Sequence, residues 1–330
     1  MIDKTRGLCL LALATLLPLA SPARAATPAG SDGTLTLRIE NDTLNDTDRY
    51  YTAGDSIGWT GPVGEVPDVL GQLGHHLWGD GQQRISLGVS QLLFTPANTQ
   101  INPPDPKDRP YAGLLLGGMS LIQDTPTRRD VLRLDLGVIG PDALGEQAQN
   151  GFHHLIGETT NKGWSYQLPN QPVVEVIEQR IWRVRLGTAG PLEVDMLPEL
   201  TGSVGTWRVA GEAGAMMRIG QGLGADFGAP RIQPGLTGDD AYQTARRFAW
   251  YAFVGVDGQA VAWDETIEGE PFASTRHVTL EPLLGEAEIG IAVIVDGVRA
   301  SFTHVMQTQS FRGQSGGLFW FDSLSMSVPF

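Results

Sequence analysis

Three short stretches of the 330-residue chain carry side chains suited to chemistry. Glu40-Asn41-Asp42 sets an amide beside a carboxylate at the end of a strand-like segment, a pair able to bind a cation or orient a water. Asn and Asp are also turn formers, so a plain turn accounts for the same residues. Asp48-Arg49-Tyr50-Tyr51-Thr52-Ala53-Gly54 opens the next segment. If the two segments pair as a hairpin, Thr52 returns close to Asn41 and Asp42, and its hydroxyl or carbonyl becomes a ligand or positioning group. The competing reading is an ordinary strand start at the surface. The third stretch, Gly140 to Gly157, reads as a helix in a strand-rich chain, with Asp142 as N-cap and Gly157 as stop. Leu144, Ala148, Phe152 and Leu155 recur at helical spacing and make one apolar face, while Glu146, Gln149, Asn150 and His153 share another. Histidine is the natural base near neutral pH, so His153 is the candidate base; the alternative is an inert loop histidine.

Other catalytic patterns are missing. There is no Gly-x-Ser-x-Gly elbow and no His-Glu-x-x-His. His153 and His154 are sequence neighbours and diverge on a helix, which makes them a poor metal pair. A hydrolase built on these residues would use water as its nucleophile.

The elements that must position these residues read as strands. Leu35, Leu37 and Ile39 alternate with Thr34, Thr36 and Arg38; Ile85, Leu87 and Val89 alternate with Ser86, Gly88 and Ser90. Leu132, Leu134, Leu136 and Val138 alternate with Arg133 and Asp135, an apolar face backing onto charge. That contrast suits a barrel wall with lipid outside and a polar lumen, and the helix of residues 140–157 is expected to rest its apolar face on that wall with His153 pointing into the gap. Trp250 to Val256 and Leu284 to Val295 are strand-like too. Pro- and polar-rich loops are expected at Pro96 to Pro110, Gly157 to Pro172 and Ile219 to Ala241. Trp59, Trp182, Trp207, Trp250 and Trp320 lie in or near strands, where they serve either an interface girdle or core packing.

Both ends of the chain point to export. Lys4 and Arg6, the apolar run Leu8 to Leu19 and the Ala23-x-Ala25 site form a secretory signal peptide, so residues 1–25 are set apart from a single domain over 26–330. Cys9, the one cysteine, lies in that segment, and the mature chain must be stabilised without disulfides. No later stretch is long and apolar enough for a transmembrane helix. At the other end Leu324, Met326 and Val328 alternate with Ser323, Ser325 and Ser327, and the chain stops on Phe330. A last strand of this kind resembles the ends of bacterial outer-membrane proteins; an edge strand of a soluble sandwich is the alternative. The formal net charge of −14 excludes a general nucleic-acid binder, and the 42 glycines suit many turns and bends.

Together the clusters resemble the lipid A 3'-O-deacylase family of outer-membrane barrels, the LpxR type, over nearly the full mature length. The resemblance is carried by Asn41-Asp42, by Asp48-Arg49 through Thr52-Ala53-Gly54, by Asp108-Arg109, and by the Trp164 and Gln167 region. Its most specific part is Gly137-Val138-Ile139-Gly140-Pro141-Asp142 with the following Gln149-Asn150, His153 and Ile156-Gly157. It implies an all-β fold, a transmembrane antiparallel barrel of twelve strands in the outer membrane with a short extracellular-loop helix, and an active site between that helix and the outer wall. The implied reaction is calcium-dependent ester hydrolysis of the 3'-linked acyloxyacyl chain of lipid A in the outer leaflet. Carried over residue by residue, His153 takes the general base, Asp42 the calcium ligand, and Asn41 and Thr52 polar catalytic positions. The expected partners are lipopolysaccharide and outer-membrane lipid, with the chain a monomer. One departure stands out: the family's Lys-Arg pair after the third strand is replaced by Ala97 to Pro104, with no basic residue before Lys107 and Arg109. A phospholipid hydrolase and a non-enzymatic pore or structural barrel are the other readings.

Overall fold

The computed structural model describes residues 33–42, 47–243 and 247–330, so the expected signal peptide with Cys9 lies outside the described residues. The strand segments are β1 (Thr34–Asn41), β2 (Tyr50–Thr60), β3 (Gln82–Thr95), β4 (Ala112–Thr125), β5 (Arg128–Ile139), β6 (Gln171–Trp182), β7 (Val184–Ala189), β8 (Leu192–Gly205), β9 (Arg208–Gln221), β10 (Phe248–Asp264), β11 (Leu283–Val295), β12 (Val298–Gln307) and β13 (Phe319–Pro329). Among the described residues three α-helices lie between them: α1 (Asp68–Trp78), α2 (Gly145–Ile156) and α3 (Glu265–Glu268). All pairings are antiparallel. β1 pairs with β13, and both β6 and β7 pair with β8. β6 and β7 are two halves of one stave: they keep one register on β8, and Arg183 between them donates its N–H to the Thr127 carbonyl beside β5. Counted so, twelve staves close into a barrel.

Closure settles which face is which. Along β5, Leu134 and Leu136 are 36% and 54% exposed, while Asp135 faces inward and accepts from Arg133 at 2.8 Å. Ile57, Val89, Val256 and Ile289 likewise stand out from the wall. In β13 the serines Ser323, Ser325 and Ser327 are buried in the lumen. Strands whose outward side chains are apolar and whose inward ones are polar cross a bilayer with every backbone group paired. Among the described residues no helix is long and apolar enough to cross a membrane. Thr34 at the start of β1, Pro329 at the end of β13 and the tight turns 126–127, 190–191 and 296–297 share one end, the periplasmic one; Asp42, residues 47–49 and the loops 96–111, 140–170, 265–282 and 308–318 share the extracellular end.

Two features go beyond the sequence expectations. Helix α1, between β2 and β3, lies outside the wall at the periplasmic end, where Gln83 Nε2 donates to the Gly71 carbonyl at 3.2 Å. The connection between β9 and β10, expected as a loop, folds up into the lumen as a plug. Its Asp226 meets Arg218 at 2.7 Å and Arg299 at 3.5 Å; its Arg231 meets Glu286 and Glu288 at 3.0 and 3.1 Å. Ile232 and Gln233 donate backbone N–H groups to Glu40, and Asp240 pairs with Arg38 at 3.0 Å. Phe227, Ala229 and Leu236 of the plug pack with Met216, Tyr251 and Phe253 of the wall. A lumen filled in this way disfavours the pore reading. Trp207, weighed for a membrane girdle, is instead a core residue: it is 3% exposed and donates to Glu175 at 2.7 Å.

Candidate active site

Helix α2 rests on the outside of the barrel, over β3 and β4 at the extracellular end. Close approach is possible because glycine faces glycine. A Cβ on Gly113 of β4 would lie 3.3 Å from the Gly145 Cα, and one on Gly145 would sit 2.7 Å from the Trp164 ring. Gln91, an outward residue of β3, donates to the Ala143 carbonyl at 2.5 Å. Leu93, Tyr111 and Trp164 form a small apolar cluster there, with Ala53 of β2 and Ala148 of α2 packed against it.

The helix begins and faces differently from expectation. Asp142 is not its N-cap: residues Pro141–Ala143 form a 3₁₀ turn, and the α-helix starts at Gly145 after Leu144, which adopts a left-handed φ of 59°. Gly157 is the stop, with φ 79°. Of the apolar stripe only Ala148 packs on the wall. Leu144, Phe152 and Leu155 are 51%, 42% and 78% exposed, and Gln149 on the polar face is buried. The inversion has a physical cause. The medium outside this wall is lipid, so apolar side chains are stable outward, and the polar face must find partners against the barrel.

Those partners converge on Asp48. Its Oδ1 accepts from Thr52 Oγ1 at 2.5 Å and from Gln149 Nε2 at 2.8 Å; its Oδ2 accepts from Asn161 Nδ2 at 2.9 Å and Thr99 Oγ1 at 3.4 Å. Gln149 Nε2 also reaches Thr52 Oγ1 at 3.3 Å, and its Oε1 accepts from Trp164 Nε1 at 2.8 Å. Asn150 and Asn161 exchange two further bonds, through the Asn161 backbone N–H and carbonyl. One carboxylate holding four donors is a node that ties Asp48, β2, α2 and Asn161 together. Gln149 precedes His153 by four residues and so shares its helix face; that spacing was the sequence signal for its role. Asn161, twelve residues further on in a loop, offered none.

His153 is half-buried, and its Nδ1 lies 2.9 Å from the Thr159 carbonyl oxygen. A carbonyl only accepts, so Nδ1 carries the hydrogen and Nε2 keeps a lone pair. Asn41 ends β1 at an outward register position, directly opposite Ala53 of β2. Since Ala53 packs beneath α2, Asn41 and the helix flank the same strand on the lipid side. Thr52 sits beside Ala53 at a bulge in the β2–β3 ladder, where its hydroxyl meets both Asp48 and Gln149. The hairpin return expected for Thr52 is therefore present.

Asp42 is 1% exposed. Its Oδ2 accepts from Thr47 Oγ1 at 2.7 Å and the Arg49 N–H at 2.9 Å, while Oδ1 is buried without a hydrogen-bond partner. Burial pushes the carboxyl well above its usual range; the two hydrogen bonds oppose this and the charge of Asp48 adds to it. An orphaned, dry carboxylate oxygen beside a second carboxylate is the donor type a hard cation such as calcium takes. Among the described residues no group of three or more His, Cys, Asp or Glu gathers to hold a metal. A cation here would draw its remaining ligands from amide, hydroxyl, backbone or lipid oxygens.

The loop that lacks the basic pair in sequence is met by two basic residues from elsewhere: the Lys162 backbone bonds Thr99 and Asn102, and Arg276 donates to the Pro104 and Asp105 carbonyls. Arg109 is 3% exposed, donates to Thr266 Oγ1 at 2.8 Å and lies over the Phe94 ring at 4.5 Å; burial lowers its pKa to about 10. It is structural. Lys107 is exposed.

The comparisons with known proteins agree with this architecture. The chain is similar over residues 9–330 to the family described as "Outer membrane protein LpxR". Among solved structures, LpxR from Salmonella typhimurium superposes with a TM-score of 0.74 at 21% identity, covering 90% of this chain and all of that one. The β-domain of the Bordetella autotransporter BrkA gives a TM-score of 0.42 at 11% identity, covering 92% and 100%. The translocator domain of NalP from Neisseria meningitidis gives 0.40 at 10%, covering 99% and 95%. No curated protein matches the sequence. With the family pattern spanning almost the whole chain and the barrel shared with the Salmonella protein, this chain belongs to the LpxR family of outer-membrane proteins.

Proposed function

We propose that the protein is a lipid A 3'-O-deacylase, a calcium-dependent ester hydrolase that removes the 3'-linked acyloxyacyl chain from lipid A in the outer leaflet. One observation carries the reading. The node at Asp48 fixes α2 on the lipid side of the wall, with His153 one turn beyond Gln149 and its Nε2 lone pair unclaimed. A base in that position meets a substrate embedded in the leaflet, whereas a lumenal base would not.

In this reading a water in the cleft gives a proton to His153 Nε2 as it attacks the ester carbonyl. The Thr159 carbonyl keeps the imidazole in the tautomer that can accept it. The proton then passes to the departing sugar oxygen. Gln149 and Thr52 hold the helix at a fixed distance from the wall, so that water, ester and base stay aligned. Asn41 offers an amide on the opposite flank. Asp42 is the calcium ligand, its Oδ1 being the oxygen that lacks a partner. Calcium, when bound, supplies positive charge for the developing oxyanion.

The test is a mass spectrum of lipid A from cells making the protein, with and without chelator. The expected result is loss of the acyloxyacyl mass, reversed by chelation and by His153→Ala. General-base catalysis of this kind contributes about 10²- to 10⁴-fold. Lipid A left intact by a correctly inserted barrel would sink the proposal, and fatty acid released from phospholipid instead would assign a different ester substrate.

A further inference from the structure

A second ionisable pair lies on the outer wall beside Asn41. His304 of β12 and Asp322 of β13 are cross-strand partners, and Asp322 is in turn opposite Asn41 of β1. The three occupy one row on the lipid side near the extracellular rim, with His304 two strand spacings, about 10 Å, from Asn41. Asp322 Oδ1 lies 2.7 Å from His304 Nδ1, and the Asp322 side chain is 6% exposed against 31% for His304. The carboxylate fixes the ring and leaves Nε2 as its outward edge. Trp320, two residues before Asp322 and on the same face, stacks on the imidazole with centroids 5.2 Å apart and planes 23° from parallel. Trp320 is 37% exposed.

Ionisable groups on the outside of a membrane barrel are costly and persist where they have work. At this height the neighbours are headgroups rather than acyl tails, as the position of Trp320 at the start of β13 indicates. The chemistry offered is specific. A stacked Trp–His pair is a flat apolar platform, suited to the C–H face of a pyranose ring, and the Nε2 edge can bond a ring hydroxyl or amide oxygen. Asp322 within the row and Asp48 beside it are both acidic, which favours a neutral polyol over a phosphate on these residues.

We propose that His304 and Trp320, positioned by Asp322, form a saccharide subsite continuous with Asn41, which seats a sugar ring of the glycolipid headgroup while its ester lies toward α2. The proposal rests on the lipid A reading above and adds to it the part of the wall that grips the sugar. Asp322 is a positioning residue in it, acting through the imidazole.

Binding is measured with detergent-solubilised protein carrying His153→Ala, so that the ligand stays intact, titrated with lipid A and separately with phosphatidylglycerol. Heat-dependent mobility in SDS gels checks that each variant barrel is closed. Trp320→Leu and His304→Phe are each expected to weaken lipid A binding about three- to tenfold and to leave phosphatidylglycerol unaffected. His304→Phe keeps a ring against Trp320, so its loss reports the Nε2 edge. Asp322→Asn should give a smaller loss together with a shifted ring-nitrogen NMR signal for His304 on adding lipid A, relative to the parent. Unchanged lipid A affinity overturns the subsite, and so does equal weakening toward both lipids, which would mark an ordinary aromatic girdle. Deacylation by the unmodified protein is scored apart. Sugar-dependent binding without hydrolysis would retire the enzymatic reading alone, and hydrolysis with normal binding by the variants would retire the subsite alone.

Discussion

The plug and the α2 segment are both long connections that leave the wall and fold back onto it, one inside the barrel and one outside. Inside, the plug's contacts include guanidinium–carboxylate pairs: Asp226 with Arg218 and Arg299, Arg231 with Glu286 and Glu288, Asp240 with Arg38. Outside, amides and hydroxyls surround the single carboxylate of Asp48. The plug meets only barrel wall and answers its inward charges, sealing the lumen. The helix has lipid beyond it and turns Leu144, Phe152 and Leu155 that way. In the proposed reaction its contacts need only hold His153 at a fixed gap from the wall. The plug should therefore govern stability, and α2 activity.

The largest effect should come from breaking the plug. Arg218 is fully buried; it bonds both oxygens of Asp195, Asp226 Oδ1 and the Leu223 carbonyl, and lies 4.8 Å over the Tyr251 ring. Arg218→Ala removes the nearest cation from two buried carboxylates, leaving Asp195 with Arg183 at 3.6 Å and Asp226 with Arg299 at 3.5 Å, and is expected to cost about 3–5 kcal/mol, read from urea unfolding in detergent or lipid. If it destabilises no more than Gln149→Ala, the division of labour between the two segments is wrong.

Orientation can be sharpened with charge. Val256, 63% exposed in the middle of β10, should cost about 2–4 kcal/mol as Arg, because it sits at bilayer depth. Leu155, 78% exposed on the outer face of α2, should cost only about 0–1 kcal/mol as Arg, because the helix lies at the interface. Equal costs would mean that α2 lies deeper than the loops around it.

How far each segment could be read beforehand follows from the same contrast. The β5 alternation of Leu132–Val138 with Arg133 and Asp135 was readable because a barrel wall has one medium on each side, and period two records it. The position of α2 was readable from its spacing and its glycine stop. Its facing was not, since the same apolar stripe serves a helix packed on protein or one bathed in lipid. The plug left no period at all. Its conformation is set by ion pairs to distant strands, such as Asp226 to Arg299 across 73 residues. Asn161 was invisible for the same reason: its role exists only once the loop has brought it to Asp48. Among the site positions, Asn41 and Thr52 were recoverable from hairpin logic, and Asp48 was in view without its function as the hub being apparent.

Gln149→Ala tests the α2 half directly. It removes the amide that links Asp48, Thr52 and Trp164 while leaving His153 in place. Unfolding free energy should fall by about 1 kcal/mol, the net value of such a bond. Deacylation should drop by up to about 100-fold, because a misplacement of about 1 Å costs that much. Activity surviving at wild-type level would show that α2 needs no tether to keep the cleft in register.

The smallest expected effect carries the metal question. Burial raises the Asp42 carboxyl well above the ordinary value of 3.8. Between these two values the folded protein holds a proton that the unfolded chain has released, so stability falls as pH rises from about 4 through the raised value. Asp42→Asn removes that titration. Without added cation the variant should match or exceed the parent at neutral pH, by about 1 kcal/mol at most, and lose the downward slope. Calcium should reverse the ranking. If Asp42 Oδ1 is a ligand, the ion binds the ionised form, displaces the proton, and stabilises the parent by about 1.4 kcal/mol at tenfold excess over its dissociation constant, more weakly as pH falls. The variant should not respond. Unfolding midpoints at pH 5 and pH 8, with calcium and with chelator, decide the matter: equal calcium shifts in parent and variant would place the ion elsewhere, and a flat pH profile for the parent would show that Asp42 is not the buried carboxyl its surroundings make it.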